Sequence, residues 1–574
     1  PRSTPLYSSA ASDVYKRQPE MRVLIVEKER FPRDHVGESQ LPMIGRVLDE
    51  MGVWNKIEAA NFPIKLGATY TWGKTTEPWV FSFVPLDEIK DDQPRPGLYE
   101  GWRKRTAFQV DRSIYDDILL RHAAEQGCEV REGCAVTSVE RDGDHIVGLK
   151  LSDGTTAIAR HYVDASGNAA VLRRAMDVGV QAPTQLRNIA FWGCWNKPGL
   201  NSRLFERKTI RVLIRSLPYG WLWFIALSDD RSSVGLVCPA DYYKQTQKRP
   251  EELYHQAVQE EKDIAALLHD AKLCNRVQAT TDWSFVADRA YGENWFLCGE
   301  SLGFADPILA AGLTLTHTCA RHLAYTLLAL DKGLHDSNWL KEEYQDTQTR
   351  RVRQHMKFAD YWYSGNGCFS AIQENCARIA KEAGLTLDPT EAFRWLSTGG
   401  IDDDPGQFAI GGHDLASFKQ VQQRLSHKPG RESVRYLIDG KNVFKLNLTG
   451  AHKEYAARLV DGKIEQVQLY VRAERRLAAT GAYGLVLDAL KKSADAERFV
   501  EFIRQEITRT GVTPDQHLFV YNHVIQALER MVNDYWVHAS IRKGRPSLSV
   551  SSPEEGEFIF TESRGPASTQ HRPA

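Results

Sequence analysis

The run Cys298-Gly299-Glu300-Ser301-Leu302-Gly303-Phe304-Ala305-Asp306-Pro307-Ile308-Leu309-Ala310-Ala311-Gly312-Leu313-Thr314 places an acid, an Asp-Pro turn and a glycine between two apolar stretches. The stretch ahead, Trp295-Phe296-Leu297-Cys298, predicts a buried strand. The one behind, from Leu313 to Leu328, is apolar at near-helical spacing and predicts a buried helix. An acid where a strand ends, Glu300, is placed to accept hydrogen bonds from ligand hydroxyls. A helix that opens at Ala311-Gly312 turns free backbone N–H groups towards an anion or an electron-rich ring edge. An ordinary strand–turn–helix link has the same pattern, so the chemistry has to be supported elsewhere in the chain.

Six further stretches supply that support. Val23-Leu24-Ile25-Val26 predicts a buried strand with Glu27 at its end, where a carboxylate meets ribose hydroxyls. In a dinucleotide-binding fold such an acid follows a GxGxxG loop by about 20 residues. No such loop precedes Glu27; residues 1–20 contain no glycine and read as a non-native or disordered leader. Next, Phe31-Pro32-Arg33-Asp34-His35-Val36-Gly37-Glu38-Ser39 is too polar for a core, and a helix with Ile44, Val47, Leu48 and Met51 on one face follows it. Phe62 to Gly73 predicts a turn and a strand carrying Lys65. Such a lysine is ordinarily a solvated end, but buried, its lowered pKa would let it act as an ammonium donor or as an amine. Gln109-Val110-Asp111-Arg112 opens a helix that ends before Gly127, and Tyr162 to Gly167 is a second strand with a glycine turn. Finally, Gly220-Trp221-Leu222-Trp223-Phe224-Ile225-Ala226-Leu227 puts two Trp on one face of a strand, either as a packed sheet face or as an aromatic wall for a flat ligand.

The elements that must position these residues fill a 574-residue chain, long enough for roughly three or four domains. A net charge of −1 argues against nucleic acid or an anionic membrane surface as partner. No apolar run reaches the roughly 18 residues needed to span a bilayer. The nine cysteines form no CxxC pair, which fits reduced thiols in a cytoplasmic protein rather than a disulfide framework or a metal site. Aromatic-rich strands occupy about 180 to 285, and residues 335–395 predict helix dense in Phe358, Tyr361, Trp362, Tyr363 and Phe369. Gly399 to Gly412 reads as a linker. A smaller module follows, with strands near Val434–Ile438 and Ile464–Tyr470 and a helix from Tyr483 to Thr508.

In this order the motifs resemble the flavin-dependent halogenases, within the wider family of FAD oxidoreductases with a split Rossmann domain, over residues 21–350. Glu27 with Arg33 to Ser39 (Gly37, Glu38 and Ser39 included) is similar to that family's adenosine-binding acid and Gly-Glu-Ser loop. Val163-Asp164-Ala165-Ser166-Gly167 is similar to its strand end lining the FAD, with Asp164 and Gly167 as cofactor residues. Gly299 to Gly312 is similar to its second flavin loop, and Trp221-x-Trp223-x-Ile225-Ala226 to its W-x-W-x-I-P signature. The resemblance implies an α/β chain. A split Rossmann-like FAD-binding domain (21–180 and 285–350) would carry an inserted antiparallel β-sheet substrate domain (181–284). A helical region and linker (351–429), a C-terminal α/β module (430–546) and a disordered tail (547–574) would follow.

It also implies the chemistry. Reduced FAD reacts with O2, and the resulting hydroperoxide is attacked by a halide ion held near Ala311 and Gly312. Hypohalous acid then passes to Lys65 beside the substrate, with Trp221, Trp223 and Ile225 as the catalytic wall. Arg112, Gly299, Glu300, Asp306, Pro307, Gly312 and Leu313 complete the expected cofactor contacts. Ala226 stands where the signature has proline, Glu300 where the loop usually has Asp, and Leu309 where tryptophan halogenases carry an assisting glutamate. A phenol or pyrrole, free or tethered to a carrier protein, is therefore expected in place of free tryptophan. With no NAD(P)H loop evident, a separate flavin reductase is the expected partner. A related FAD monooxygenase or isoprenoid-type reductase shares Glu27 and the Gly299–Gly312 features, as would a flavin-binding scaffold without turnover.

Overall fold

The structure, a computed structural model, describes residues 21–368, 436–550 and 559–561, apart from short stretches at 74–75, 85–88, 90–93, 185, 206–208, 282–283, 474 and 510–513. Residues 1–20, Phe369 and the linker from Gly399 to Gly412 lie outside the described residues. The chain divides into two compact units, Pro1–Thr386 with Phe558–Ala574, and Leu387–Glu557. No described helix is long and apolar enough to cross a membrane.

In the first unit the chain runs β1 (Leu24–Glu27), α1 (Met43–Met51), β2 (Ile64–Thr71), β3 (Trp79–Ser82), β4 (Ala107–Phe108), α2 (Arg112–Glu125), β5 (Glu129–Glu132) and β6 (Tyr162–Asp164). It continues through β7 (Asn188–Asn196), β8 (Thr209–Leu217), β9 (Gly220–Ala226), β10 (Arg231–Pro239), β11 (Trp295–Leu297), α3 (Gly312–Lys332) and α4 (Ser337–Ser364). Strands β1 and β5 pair in parallel, as do β6 and β11, matching Leu297 to Asp164. Trp295, Phe296 and Leu297 share a core with Cys319, Ala320, Leu323, Ala324 and Leu327 of α3, which explains why both stretches are apolar throughout. Asp111 caps α2, accepting from Ser113 N at 3.0 Å, and Gly333 ends α3 in the left-handed conformation.

The aromatic strands form a ten-stranded sheet whose main path runs Lys272–Leu273, β7, β10, β9, β8, β2, β3 and Ile559–Thr561. Leu222 and Phe224 of β9 pack with Phe191, Val234 and Leu236 under Leu253, Tyr254 and Ala257 of the helix Pro250–Glu260. By alternation Trp221, Trp223 and Ile225 face the other side. Within the β-rich insert the helices Ala240–Thr246, Pro250–Glu260 and Lys262–Leu267 cover its apolar face. Two expectations need correction here. The sheet is not confined to 181–284, because β8 pairs in parallel with β2, bringing in β2, β3 and β4 from earlier in the chain. Nor is 547–574 disordered throughout: Ile559–Thr561 pairs with β3, and Leu548 is buried with its N–H donating to Lys441 O at 2.8 Å. A Ser/Pro/Glu-rich average hides a three-residue apolar strand.

The second unit contains a meander of His452–Val460, Lys463–Arg472 and Arg475–Ala478 and a two-stranded pair, Val443–Leu446 with Val537–Ser540. The strand expected at Ile464–Tyr470 lies inside it. The one expected near Val434–Ile438 does not form over its described part. Leu437 and Ile438 are in a turn, whose N–H groups donate to the buried Glu529 carboxylate at 3.0 and 3.1 Å. The single helix expected from Tyr483 to Thr508 is two, Gly481–Lys492 and Ala496–Arg509. Ser493 turns extended, and Asp495 restarts the helix by accepting from Glu497 N at 3.1 Å, a local cap that outcompetes the apolar periodicity.

Close packing at Trp223 sets one constraint on the site. Gly235 of β10 lies opposite it, and a Cβ there would fall 2.1 Å from Trp223 Cζ2. Gly235→Ala is expected to destabilise the chain by roughly 1–3 kcal/mol through overpacking. The measurement is urea unfolding, with a lower midpoint at unchanged slope.

Candidate active site

Glu27 ends β1 with its carboxylate buried. One oxygen accepts from Glu29 N at 2.9 Å; the other, Oε2, is buried with no hydrogen-bond partner among the described residues. Burial pushes this carboxyl above its ordinary range. Such an acceptor fits a hydroxyl donor from a ligand, because an orphaned buried carboxylate oxygen otherwise costs about 1–3 kcal/mol. Arg33 is also buried, 3.9 Å from Asp116 and with its guanidinium over the Phe31 ring. The loop that follows is braced from α2. Arg112 donates to Val36 O at 2.8 Å and Gly37 O at 3.1 Å, and its other nitrogens clamp Asp116 at 2.8 and 2.9 Å. Arg112 thus shapes the Gly-Glu-Ser loop from within. Arg231 of β10 ties the same region to the sheet, reaching Asp111 at 2.6 Å and Asp34 at 3.0 Å. Burial also raises the Glu38 carboxyl, against hydrogen bonds from Ser233 and Gly37 N.

At the second loop the acids divide by whether their oxygens are already filled. Asp164 was expected to touch cofactor, but Ser166 N and Oγ fill Oδ1 and Leu172 N and Arg173 N fill Oδ2, so it builds the turn at Gly167 instead. Asp306 likewise caps the turn at Pro307, accepting from Ile308 N at 2.9 Å. Glu300, half-buried, makes no hydrogen bond among the described residues, and it stays available to ligand hydroxyls. Burial raises its carboxyl while Arg112 pulls it back. From Ala310, held at φ 54°, the chain enters α3 at Gly312, where a Cβ would meet Phe304 Cε2 at 2.7 Å. The first N–H groups of α3, which include Gly312 and Leu313, have no carbonyl one turn back to bond. Beside them Thr314 Oγ1 and, in the Gly-Glu-Ser loop, Ser39 Oγ are buried without partners among the described residues.

Lys65 is 3 % exposed in a strand whose eight residues are all buried. The register between β2 and β8 slips beside it, a bulge of the kind that re-aims side chains near active sites. Its Nζ donates to Gln40 O at 2.8 Å and lies 5.4 Å from the Phe83 ring centroid. Burial alone brings the amine down to about 7. Gln40 directly follows the Gly-Glu-Ser loop, so one carbonyl joins Lys65 to the expected cofactor segment. On β9, two strands from β2, the Trp221 and Trp223 rings sit 5.9 Å apart, with Ile225 next on the same side. Trp221 Nε1 donates to Tyr363 Oη at 2.8 Å and Trp223 Nε1 to Ser233 Oγ at 3.2 Å. Trp221 also meets Trp72 edge-on, and Trp72 in turn packs against Trp362 and Tyr363.

The residues therefore fit FAD: an unfilled acid for ribose, a second for ribityl hydroxyls, and a helix N-terminus with orphaned hydroxyls for the ring edge. Sequence reading missed Gln40, Arg231, Gly235 and Tyr363. Only Tyr363 carried a signal, the aromatic density of its helix. Titration of Lys65 gives a prediction. The unfolded chain holds that proton up to the ordinary 10.5, the folded chain only to about 7, so stability at this position rises with pH across that window. The stability gap between Lys65→Met and the parent is expected to shift towards the parent from pH 7 to 10, measured by urea melts of both.

Comparison with known proteins identifies the family. The profile of the family described as Tryptophan halogenase matches residues 7–103 and 102–367, beginning inside the leader that sequence reading set aside. A tryptophan 2-halogenase of Chondromyces crocatus is 30% identical over 333 residues, 56% of this chain and 59% of that protein, so the chain spans under two thirds of its length. A 1H-pyrrole-2-carbonyl-[peptidyl-carrier protein] chlorinase of Pseudomonas fluorescens is 28% identical over 392 residues, 65% of this chain and 84% of that one. The solved structure of CmlS, a flavin-dependent halogenase, superposes with a TM-score of 0.70 at 21% identity over 97% of this chain and 100% of its own, a likeness of fold. With the profile covering well over half of its length, this chain belongs to the tryptophan halogenase family of FAD-dependent halogenases.

Proposed function

We propose that the chain installs chloride or bromide on an electron-rich aromatic ring of phenol or pyrrole type, free or carried on a carrier protein, with FADH2 delivered by a separate reductase. The observation that carries this reading is Lys65: a dry amine, brought down to about 7, hydrogen-bonded to the residue after the Gly-Glu-Ser loop. When bound, reduced FAD supplies the reduction of O2 that turns halide into hypohalous acid.

The protein's own groups do the rest. Backbone N–H groups around Ala311 and Gly312 hold the halide, a task that needs no particular side chain and so tolerates alanine. Trp221, Trp223 and Ile225 keep the aromatic substrate away from the flavin, so that oxygen does not pass to the ring directly. Lys65 receives the hypohalous acid, as an ammonium that hydrogen-bonds it or as an amine that accepts the halogen. An amine near 7 has both forms at hand at neutral pH. The names of the relatives support an aromatic substrate, and the pyrrole chlorinase supports a carried pyrrole. Leu309 has no carboxylate to assist an indole, which favours phenol or pyrrole over free tryptophan. A second reading, oxygenation of the ring, is favoured by one departure: Ala226 replaces the proline of the wall.

Mass spectrometry of products from FADH2, O2 and a phenol, pyrrole and tryptophan panel, with and without bromide or chloride, tests the class. Halogenated phenol or pyrrole is expected, and hydroxylated product indifferent to halide would establish the second reading. Lys65→Ala is expected to lower halogenated product roughly 100-fold or more while O2 still oxidises reduced flavin at nearly the parent rate. Equal loss of both would place Lys65 in the cofactor site.

A further inference from the structure

Trp221 and Asp306 lie on different elements, one in β9 and one in the turn ahead of α3, and a single side chain connects them. Tyr363, near the end of α4, is 1 % exposed. Its hydroxyl accepts from Trp221 Nε1–H at 2.8 Å and donates to Asp306 Oδ1 at 3.2 Å. The direction is unambiguous, because an indole N–H only donates and a carboxylate only accepts. The same Asp306 oxygen caps the turn Pro307–Leu309 that leads through Ala310 to Gly312, and Asn188 Nδ2 of β7 approaches the other at 3.5 Å.

The end of α4 is itself fixed on the sheet. Trp72 Nε1 donates to Trp362 O at 2.9 Å, Gly367 N to Gly73 O at 2.7 Å, and Asn366 Nδ2 to Ser216 Oγ at 3.0 Å. One turn earlier, Thr184 Oγ1 donates to Asp360 at 2.5 Å. Tyr363 thus enters the site from a clamped helix end, its ring 5.7 Å from Trp72.

We propose that Tyr363 is a positioning residue that holds the Trp221 wall and the Asp306 turn at a fixed spacing. The α3 N–H groups that take halide then stay aligned with the wall that excludes substrate. This consequence for the reaction rests on the halogenase reading above. Removing the hydroxyl takes from the buried indole N–H its acceptor and from Asp306 Oδ1 one of its donors, leaving that of Ile308 N, and the bond that ties the two elements is lost. The two electrons and two protons of reduced flavin still convert O2 to hydrogen peroxide, but less of the oxidising equivalent reaches halide.

The test compares the parent chain with Tyr363→Phe, Trp221→Phe and the double variant. Tyr363→Phe is expected to keep flavin-dependent O2 consumption while halogenated product per O2 falls roughly tenfold and hydrogen peroxide rises in step. In the Trp221→Phe background the same change should add nothing. Asp306→Asn, which weakens the same bond from its other end, should give the same redistribution. On the cofactor-free chain, thermal midpoints and near-ultraviolet circular dichroism of the four proteins should be non-additive. An unchanged ratio of product to peroxide in Tyr363→Phe, or additive effects in both cycles, overturns the proposal. Should the parent give no halogenated product, the halogenase reading falls, and the cofactor-free cycle alone decides for or against the coupling.

Discussion

An amine kept out of water is the constraint on which the rest of this structure depends. Desolvation strongly disfavours an ammonium, and Lys65 offsets that with one hydrogen bond among the described residues, to the Gln40 carbonyl, and a shifted proton equilibrium. Keeping water away demands a strand covered on both faces. Ile64 and Leu66 accordingly sit in one core with Ile44, Leu48, Phe108 and Leu313, joining α1, β4 and the first turn of α3 to β2. The helix whose N-terminus is proposed to hold halide and the strand that carries the lysine are packed into the same cluster.

The Gln40 carbonyl in turn needs a loop that does not move. Arg112 supplies this from below by binding two loop carbonyls while its other side is neutralised by Asp116. Arg231 does so from the sheet, through Asp34 and Asp111. A buried guanidinium with several filled donors is a rigid brace, because each hydrogen bond removes a rotamer the side chain would otherwise explore.

Acids near the expected flavin are sorted by the same accounting of lone pairs. Asp164, Asp306 and Asp111 have oxygens taken by backbone amides, and they set the turns on which the site is built. Glu27 and Glu300 keep oxygens unfilled by described groups, so ligand hydroxyls have somewhere to bind. Glu27 also accepts from a following amide, that of Glu29, but with one oxygen only, and its second stays open among the described residues.

Local patterns were enough to read the strand–acid–turn–helix units around Glu27, Asp164 and Gly299–Gly312, the Trp pair on one strand, and the lysine in its run, because each is written within about one element's length. Tertiary structure alone decided what lies between them. The parallel pairing of β8 with β2 brings Lys65 into the sheet of the tryptophans, and nothing in either segment announces a partner well over a hundred residues away. The same holds for Ile559–Thr561 at the far edge, for Gly235 beneath Trp223, and for Tyr363 between Trp221 and Asp306. Asp164 was expected as a cofactor residue from the family resemblance; only the positions of the Ser166, Leu172 and Arg173 amides show that its oxygens are filled. Periodicity and motif spacing report short-range geometry, whereas register between distant strands and satisfaction of buried polar atoms are properties of the packed whole.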